Sequence, residues 1–173
     1  MKNKFNKFLD FTVPFLIGCG LVLIIISFNS EASVRLDIND IVTDNKTSTQ
    51  DCLVTTLYFE SRSESDLSNI MVLNTIFNRT NSPHYPDTPC EVIKQYKQYS
   101  YTHDGLSDRM VNLVQVKRLE DIVDKFLLNR KLFLSLSEGS DHYHTTDVKP
   151  YWIDSSRMKY IGTYDKHIFY RRD

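Results

Sequence analysis

The chain has 173 residues, the length of one ordinary domain, and its 21 Lys and Arg nearly balance its 22 Asp and Glu. This balance gives no global attraction to a polyanion, so we expect no nucleic-acid partner. Charged residues make up 25% of the chain and apolar residues 41%, which is typical of a globular protein and excludes a disordered one.

The N-terminus carries an apolar run at 11–28 that has no charge and follows three lysines. A helix of this length is about 27 Å long, just enough to span a hydrocarbon core of about 30 Å. The preceding lysines predict a cytoplasmic N-terminus and an exported remainder. The small residues at 30–32 resemble a signal-peptidase site, so residues 1–32 are either a cleaved signal or an uncleaved membrane anchor.

The three cysteines are interpreted in the light of this predicted export. Leu16 to Cys19 resembles a lipoprotein cleavage box, although the apolar run continues beyond it. The exported part then contains Cys52 and Cys90, and a pair of cysteines in an oxidising compartment favours a disulfide. Two separate buried thiols are the alternative.

The exported part divides into a polar linker at 33–48 and one folded domain at 49–173. Ser48 and Asp51 resemble a helix capping box, which predicts that a first helix begins there and runs to about Arg62.

Three further helices and a different C-terminal part are predicted in chain order. A second helix starts at residue 65 or 66 and ends before Pro83, and Thr88 to Glu91 has the pattern of another helix start. A long helix is predicted from 107 to 133 on the spacing of its apolar residues, Val111, Val114, Leu119, Ile122, Val123 and Phe126. After Gly139 the segments are short and rich in Tyr, Thr and Ile, which favours strands. We therefore predict a mainly α (α+β) domain.

Glu60 occupies an unusual place in the first predicted helix. Leu53, Leu57 and Glu60 are spaced i, i+4, i+7, so a carboxyl group lies on the apolar stripe. Burial raises the pKa of such a group, which suits a general acid near neutral pH. The alternative is a structural ion pair with Arg62 or Arg79.

The second predicted helix has two asparagines, Asn74 and Asn78, within its apolar stripe. That stripe consists of Leu67, Ile70, Met71, Asn74, Phe77 and Asn78. A buried amide needs hydrogen-bond partners, which are either a neighbouring carboxyl group or substrate, or the backbone of a loop that it caps.

Two histidines, His142 and His144, alternate along an extended segment, and His167 follows later. They suggest a metal-dependent hydrolase as one alternative. No HExxH motif or Cys–His quartet accompanies them in the sequence, so we expect no metal and no cofactor.

Six short motifs follow one another between residues 51 and 171. They are Cys52-Leu53 with Tyr58 to Glu64, Phe77-Asn78-Arg79, Tyr85 to Ile93, Tyr99-Ser100-Tyr101 with Asp104-Gly105, His142-Tyr143-His144 with Val148, Pro150 and Trp152, and Ile161-Gly162 with His167 to Arg171. In this order they resemble the SleB-type cell-wall hydrolases, a family named for a spore-cortex-lytic enzyme.

This resemblance implies a lysozyme-like helical domain that cleaves the glycan strands of peptidoglycan. The apolar run at 11–28 separately predicts a membrane contact through the N-terminal helix. It implies that Glu60 is the catalytic acid. The residues that we expect to bind the substrate are Asn78, Ser100, Tyr101, Tyr143, His144 and Tyr170.

The expected reaction is lytic transglycosylation at the bond between N-acetylmuramic acid and N-acetylglucosamine. Hydrolysis is the enzymatic alternative, and it would need a second carboxylate, for which Glu64 or Asp104 is available in the sequence. A membrane-tethered binding module without catalysis is the non-enzymatic alternative.

The C-terminal segments containing Tyr143 and Tyr170 both alternate, so we expect them to lie side by side. Tyr143 would then line a groove beside Glu60. The alternative is a β-ribbon that only covers the core.

Overall fold

The computed structural model of the chain describes residues 48–173. The predicted signal or anchor at 1–32, and all of the predicted linker except Ser48, lie outside the described residues. Between residues 48 and 173, no helix has both the length and the apolar character needed to cross a membrane.

Helices form most of the described chain. They are α1 at 48–61, α2 at Asp66–Thr80, α3 at Pro89–Lys94, α4 at Leu113–Leu128 and α5 at Arg130–Leu136, with short 3₁₀ helices at Ser100–His103 and Tyr151–Asp154. The predicted starts of α2 and α3 are confirmed by their caps. The hydroxyl of Ser65 accepts from the amide of Ser68, and that of Thr88 accepts from the amide of Glu91.

Helix α2 is the centre of the fold, because it contacts α3, α4, α5 and two strands of the sheet. Its side chains are consequently buried on nearly all sides, including polar ones such as Ser68 and Asn69. Leu67, which belongs to the predicted apolar stripe, is instead 51% exposed. Leu67 lies at the exposed start of α2, whereas farther along the helix residues outside the predicted stripe are also buried, so the stripe prediction described only part of the environment of α2.

The single long helix predicted over 107–133 is wrong, because the segment forms two helices, α4 and α5, with Asn129 between them, and because α4 begins later than predicted. The helix begins only after Asn112, whose side chain accepts from the amide of Gln115 and caps α4. The hydroxyl of Tyr58 on α1 accepts from the amides of Val111 and Asn112, which holds this segment out of a helix. The helical pattern continues beyond the cap, and its buried residues are Leu119, Ile122, Val123 and Phe126.

The C-terminal part forms the predicted small sheet, with β1 at His142–Thr145, β2 at Met158–Tyr164 and β3 at His167–Arg172. The strands are antiparallel in the order β1-β3-β2, and Tyr143 lies opposite Phe169. Phe169 is fully buried and packs in the core, so it anchors the sheet to the helices. The edge strand β1 is left beside the end of α1.

A disulfide joins Cys52 on α1 to Cys90 on α3, with 5.7 Å between their α-carbons. This distance is ordinary for a disulfide. The bond fixes the first helix against the segment that follows α2.

Candidate active site

Glu60 lies at the last turn of α1, where the buried stripe of that helix reaches a cleft. Leu53 and Leu57 on the same stripe are fully buried, whereas Glu60 is half-buried. The hydroxyl of Tyr143 donates a hydrogen bond to Oε2 of Glu60 at 3.3 Å. Burial raises the pKa of Glu60, and the hydrogen bonds from Tyr143 and the backbone of Ser100 only partly oppose that effect.

The alternative of a structural ion pair does not describe Glu60 in this structure. Arg62 donates to the backbone oxygen of Tyr58 at 2.8 Å, and Nε of Arg79 donates to the backbone oxygen of Asp141 at 2.7 Å. Among the ion pairs of residues 48–173, none contains Glu60. Its carboxyl group therefore stays without a cationic partner.

The cleft beside Glu60 has a volume of about 530 Å³ and lies between the end of α1, the segment before the first 3₁₀ helix and strand β1. Its lining residues are Glu60, Arg79, Lys97, Gln98, Tyr99, Ser100, His103, Tyr143, His144, Thr145 and Val148. Glu60 is the only acidic side chain among these described lining residues.

Arg79 brings a positive charge to this cleft, and its guanidinium lies 5.4 Å from the centroid of the Tyr85 ring. Its side chain is only 6% exposed, and its Nη1 has no hydrogen-bond partner among residues 48–173. A buried guanidinium without a carboxylate partner is costly to the folded state, so such groups call for a specific explanation. A substrate oxygen bound in the cleft would supply the missing acceptor.

Tyrosine hydroxyls complete the donor groups of the cleft. Burial raises the pKa of Tyr99 to about 12 and that of Tyr143 well above its usual value. Both hydroxyls are therefore neutral donors at physiological pH. That of Tyr99 is buried without a partner in the described part of the chain.

The structure brings four of the seven predicted catalytic and substrate-binding residues together, namely Glu60, Ser100, Tyr143 and His144. The segments containing Tyr143 and Tyr170 lie side by side in the sheet, as their alternation predicts. Tyr143 also lines a groove beside Glu60, so the sheet does more than cover the core.

The other three predicted residues do not line this cleft, each for a visible reason. The amide of Asn78 donates to the Ser137 hydroxyl and the Ser140 backbone oxygen, so it caps a loop. The hydroxyl of Tyr101 pairs with Thr56 in the interior at 2.8 Å. Tyr170 points to the outer face of the sheet, where it stacks on His144.

Sequence reasoning did not name Arg79 and Tyr99 as residues that line the cleft. Both belong to motifs that the resemblance includes, and each is directly next to a residue that was named. Because α2 is enclosed on all sides, helical periodicity gave no separate signal for Arg79. Lys97, Gln98 and His103 lie in irregular or 3₁₀ segments, where no periodicity exists.

The three histidines that suggest a metal-dependent hydrolase as an alternative do not share one face of the sheet. His142 and His144 lie on the outer face of the sheet, whereas His167 lies on the inner face, with its Nδ1 3.3 Å from the hydroxyl of Ser68. In the described part of the chain no three side chains of the types that ligate metals come together.

The two candidates for a second catalytic carboxylate are also displaced from the cleft. Glu64 accepts a hydrogen bond from the backbone amide of Lys166 at 3.3 Å, and Asp104 accepts one from that of Leu106 at 2.8 Å. Neither side chain lines the cleft around Glu60.

Two solved structures are similar to this fold. The first is the catalytic domain of the germination-specific lytic transglycosylase SleB from Bacillus anthracis, with 23% identity, a TM-score of 0.54, and coverage of 71% of this chain and 93% of that one. The second is the catalytic domain of the Bacillus cereus SleB protein, with 24% identity, a TM-score of 0.52, and coverage of 72% and 91%. No curated protein matches the sequence.

The sequence itself matches a family model described as cell wall hydrolase over residues 63–170. This span includes β1, with Tyr143, and the rest of the cleft, but it begins just after Glu60. The match extends over more than half of the chain and includes all helices after α1, strands β1 and β2 and most of β3. The chain therefore belongs to the cell wall hydrolase family.

Proposed function

We propose that this domain is a lytic transglycosylase that cleaves the glycan strands of peptidoglycan, with Glu60 as its general acid and base. The observation that carries the proposal is a single half-buried carboxyl group with a raised pKa in a cleft rich in hydrogen-bond donors. The fold is also similar to that of a domain named as a lytic transglycosylase.

In the proposed reaction, Glu60 first protonates the glycosidic oxygen that links N-acetylmuramic acid to N-acetylglucosamine. The bond from that oxygen to the muramic C1 breaks, and Glu60 is left as a carboxylate. The carboxylate then takes the proton of the muramic 6-hydroxyl, whose oxygen bonds to C1 and closes a 1,6-anhydro ring. Glu60 regains its proton, and no water molecule is consumed.

The contact between Tyr143 and Glu60 supports this order of events. A hydroxyl that donates to Oε2 leaves Oε1 to carry the acidic proton. The same hydrogen bond stabilises the carboxylate that forms when the proton leaves. Tyr143 is therefore proposed as the residue that orients the acid.

Arg79 and Tyr99 are proposed to bind the substrate. Their unpartnered nitrogen and hydroxyl are donors without an acceptor, and the substrate offers carbonyl and carboxylate oxygens. Ser100 and His144, which also line the cleft, are proposed to contact the sugar.

Transglycosylation is favoured over hydrolysis because the latter normally uses two carboxylates, about 5–5.5 Å apart for retention and farther apart for inversion. Within the described lining of the cleft, no second carboxylate accompanies Glu60. An internal hydroxyl nucleophile removes the need for one.

The place of action follows from the substrate. Peptidoglycan lies outside the cytoplasmic membrane, so we propose that the domain is exported. Residues 1–32 would serve as its cleaved signal or as its membrane anchor. The similarity of the fold and the position of the acid also support a lysozyme-like arrangement.

The proposal is tested with Glu60→Gln in the full chain, incubated with purified peptidoglycan. Loss of the acid should reduce cleavage by about 10²–10⁴-fold, while an unchanged circular dichroism spectrum shows that the fold is kept. Glu64→Gln is the matched control, because Glu64 is a neighbouring carboxyl group outside the cleft. It should leave cleavage nearly unchanged.

Mass spectrometry of the released muropeptides separates the alternatives. An anhydro-muramic end supports transglycosylation, whereas a reducing end would show hydrolysis. If the parent chain binds the wall and releases nothing, the domain is a binding module. Activity of Glu60→Gln within tenfold of the parent would contradict the assignment of the acid.

A further inference from the structure

A second cavity of about 580 Å³ lies on the outer face of the C-terminal sheet. Its lining residues are His142, Tyr151, Trp152, Asp154, Ser155, Arg157, Met158 and Arg172. Nothing in the proposed cleavage reaction uses this cavity, which we call the outer cavity.

The outer cavity presents two guanidinium groups. Arg157 and Arg172 are exposed, and only their backbone amides donate to side chains, to those of Ser155 and Asp141 respectively. Within residues 48–173, neither guanidinium forms an ion pair or a hydrogen bond with a protein acceptor. Arg171, on the opposite face, differs because it is bound to a carboxylate at 2.7 Å.

Two carboxylates lie in or beside the outer cavity. Asp154 is its only acidic lining residue in the described chain, and Nζ of Lys149 lies 3.3 Å from its carboxylate. The carboxylate of Asp141 accepts hydrogen bonds from His142 and from the backbone amide of Arg172, both at 2.9 Å, so it sets one negative charge against the two guanidinium groups. The two arginines therefore leave a site with positive charge, suited to the bidentate binding of carboxylates.

An aromatic ring extends from the same cavity into solvent. Tyr151 is 92% exposed, which makes it one of the most exposed large hydrophobic side chains of the described residues. The next residue, Trp152, is instead packed among aromatic neighbours, with ring centroids 5.4 Å from His142 and 5.6 Å from Tyr170. Tyr151 therefore exposes its ring beside Arg157 and Arg172, while the adjacent Trp152 holds this segment against the sheet.

The outer cavity is adjacent to the cleft that contains Glu60. His142 lines the outer cavity and His144 lines the cleft, and both contact the ring of Trp152. The two histidines are two residues apart on one strand, so their α-carbons are separated by about 6.5–7 Å. A polymer bound in the cleft would therefore reach the outer cavity with an adjoining group.

We infer that the outer cavity binds the acidic peptide stem of the glycan strand that lies in the cleft. This inference rests on the proposed function. The stems branch from the muramic residues of peptidoglycan and carry free carboxylates, which fit Arg157 and Arg172, while the ring of Tyr151 packs on the peptide backbone. The enzyme thereby selects glycan that still bears its peptides.

Binding is tested in the full chain with Glu60→Gln, so that the wall is not digested. The probes are peptidoglycan freed of other anionic polymers and the same glycan after an amidase has removed its stems. Arg157→Gln with Arg172→Gln should weaken binding to the stem-bearing wall by about tenfold and leave binding to the stripped glycan within about twofold. Tyr151→Ala should weaken the same binding by a smaller factor.

Arg109→Gln with Lys131→Gln is the matched control, because it removes two exposed positive charges elsewhere. It should leave both affinities unchanged. Three results would overturn the inference: unchanged binding of the arginine variant to the stem-bearing wall, equal losses on both probes, or an equal loss in the control. Each result would show that Arg157 and Arg172 do not bind the peptide stem specifically.

Failure of the proposed cleavage reaction can be told apart from failure of the peptide-stem inference, because the two are measured in separate assays. If the parent chain with intact Glu60 releases no muropeptides, the cleavage reaction is refuted, whereas the preference for stems is still measured in the binding assay. Melting temperatures of all variants identify any that does not fold. Tyr151→Ala then keeps the test decisive, because a side chain so exposed contributes little to packing.

Discussion

The helical part and the C-terminal sheet contribute differently to this protein. Of the buried apolar side chains that form the core of the described chain, only Phe169 comes from the sheet. Strand β1 instead places Tyr143 and His144 on the cleft and His142 on the outer cavity. The acid comes from α1, and the group that orients it, the Tyr143 hydroxyl, comes from β1.

The core and the disulfide of the helical part therefore serve stability, whereas β1 serves the acid. A change in that core or in the disulfide, away from the cleft, should mainly lower the free energy of unfolding. A change on β1 should mainly lower turnover. The predictions below test the two halves of this comparison.

The largest expected effect on stability is the loss of the disulfide. The bond between Cys52 and Cys90 closes a loop with a sequence separation of 38. Chain entropy gives such a loop a stabilisation of about 3–4 kcal/mol. Replacing both cysteines with serine should lower the free energy of unfolding by this amount, as measured by urea denaturation.

Cleavage per folded molecule should stay unchanged in this variant, because the disulfide does not line the cleft. A fall in turnover equal to the Tyr143 effect described next would contradict the separation of the two regions. Equal stability of the variant and the parent would show that the loop is ordered without the bond.

Tyr143→Phe should have a smaller effect, and this effect should be on turnover instead of on stability. The ring should keep its packing against His167 and Phe169, whose centroids lie 5.3 and 5.4 Å away. Only the hydroxyl that donates to Glu60 is lost, so kcat should fall by about tenfold, with little change in melting temperature.

Tyr164→Phe is the control for that measurement, because Tyr164 packs against the same Phe169 outside the cleft. It should leave kcat unchanged. If Tyr143→Phe has parental turnover but unfolds at a lower temperature, the hydroxyl serves the fold and not the acid.

The sequence predicted local features of the fold well. Caps at Ser65 and Thr88 are decided by residues within one helical turn, so composition and spacing suffice. The alternation around Tyr143 likewise specified which side chains point inward. The position of Glu60 on the apolar stripe predicted its burial. The structure adds the hydrogen bond that the hydroxyl of Tyr143 donates to its carboxyl group.

Features set by distant contacts were not predictable in this way. The helix over 107–133 starts late because a hydroxyl from α1 binds the backbone of Val111. Val114 is on the predicted apolar face and yet is 80% exposed, whereas Val116 in the same turn packs against the core. Arg79 lines the cleft because the C-terminal end of α2 lies beside it, and no local sequence pattern predicts that tertiary position.

The smallest expected effect concerns the pH dependence of Glu60. Burial raises the pKa of Glu60 in the folded protein, so folding favours the protonated form. The preference of the folded protein for the protonated form contributes stability that is fully present below the unfolded pKa of Glu60. This stability is lost as the pH rises through the folded pKa. Cleavage should fall over the same upper range, because only the protonated form can act as the acid.

Glu60→Gln removes this titration, so its stability should exceed that of the parent above the folded pKa and approach it at lower pH. Melting temperatures across pH 4–9 measure the difference, which should be smaller than the disulfide effect because one half-buried group is involved. A parent more stable than Glu60→Gln at high pH would mean that the folded protein stabilises the carboxylate, and Glu60 would then be poorly suited to act as the acid.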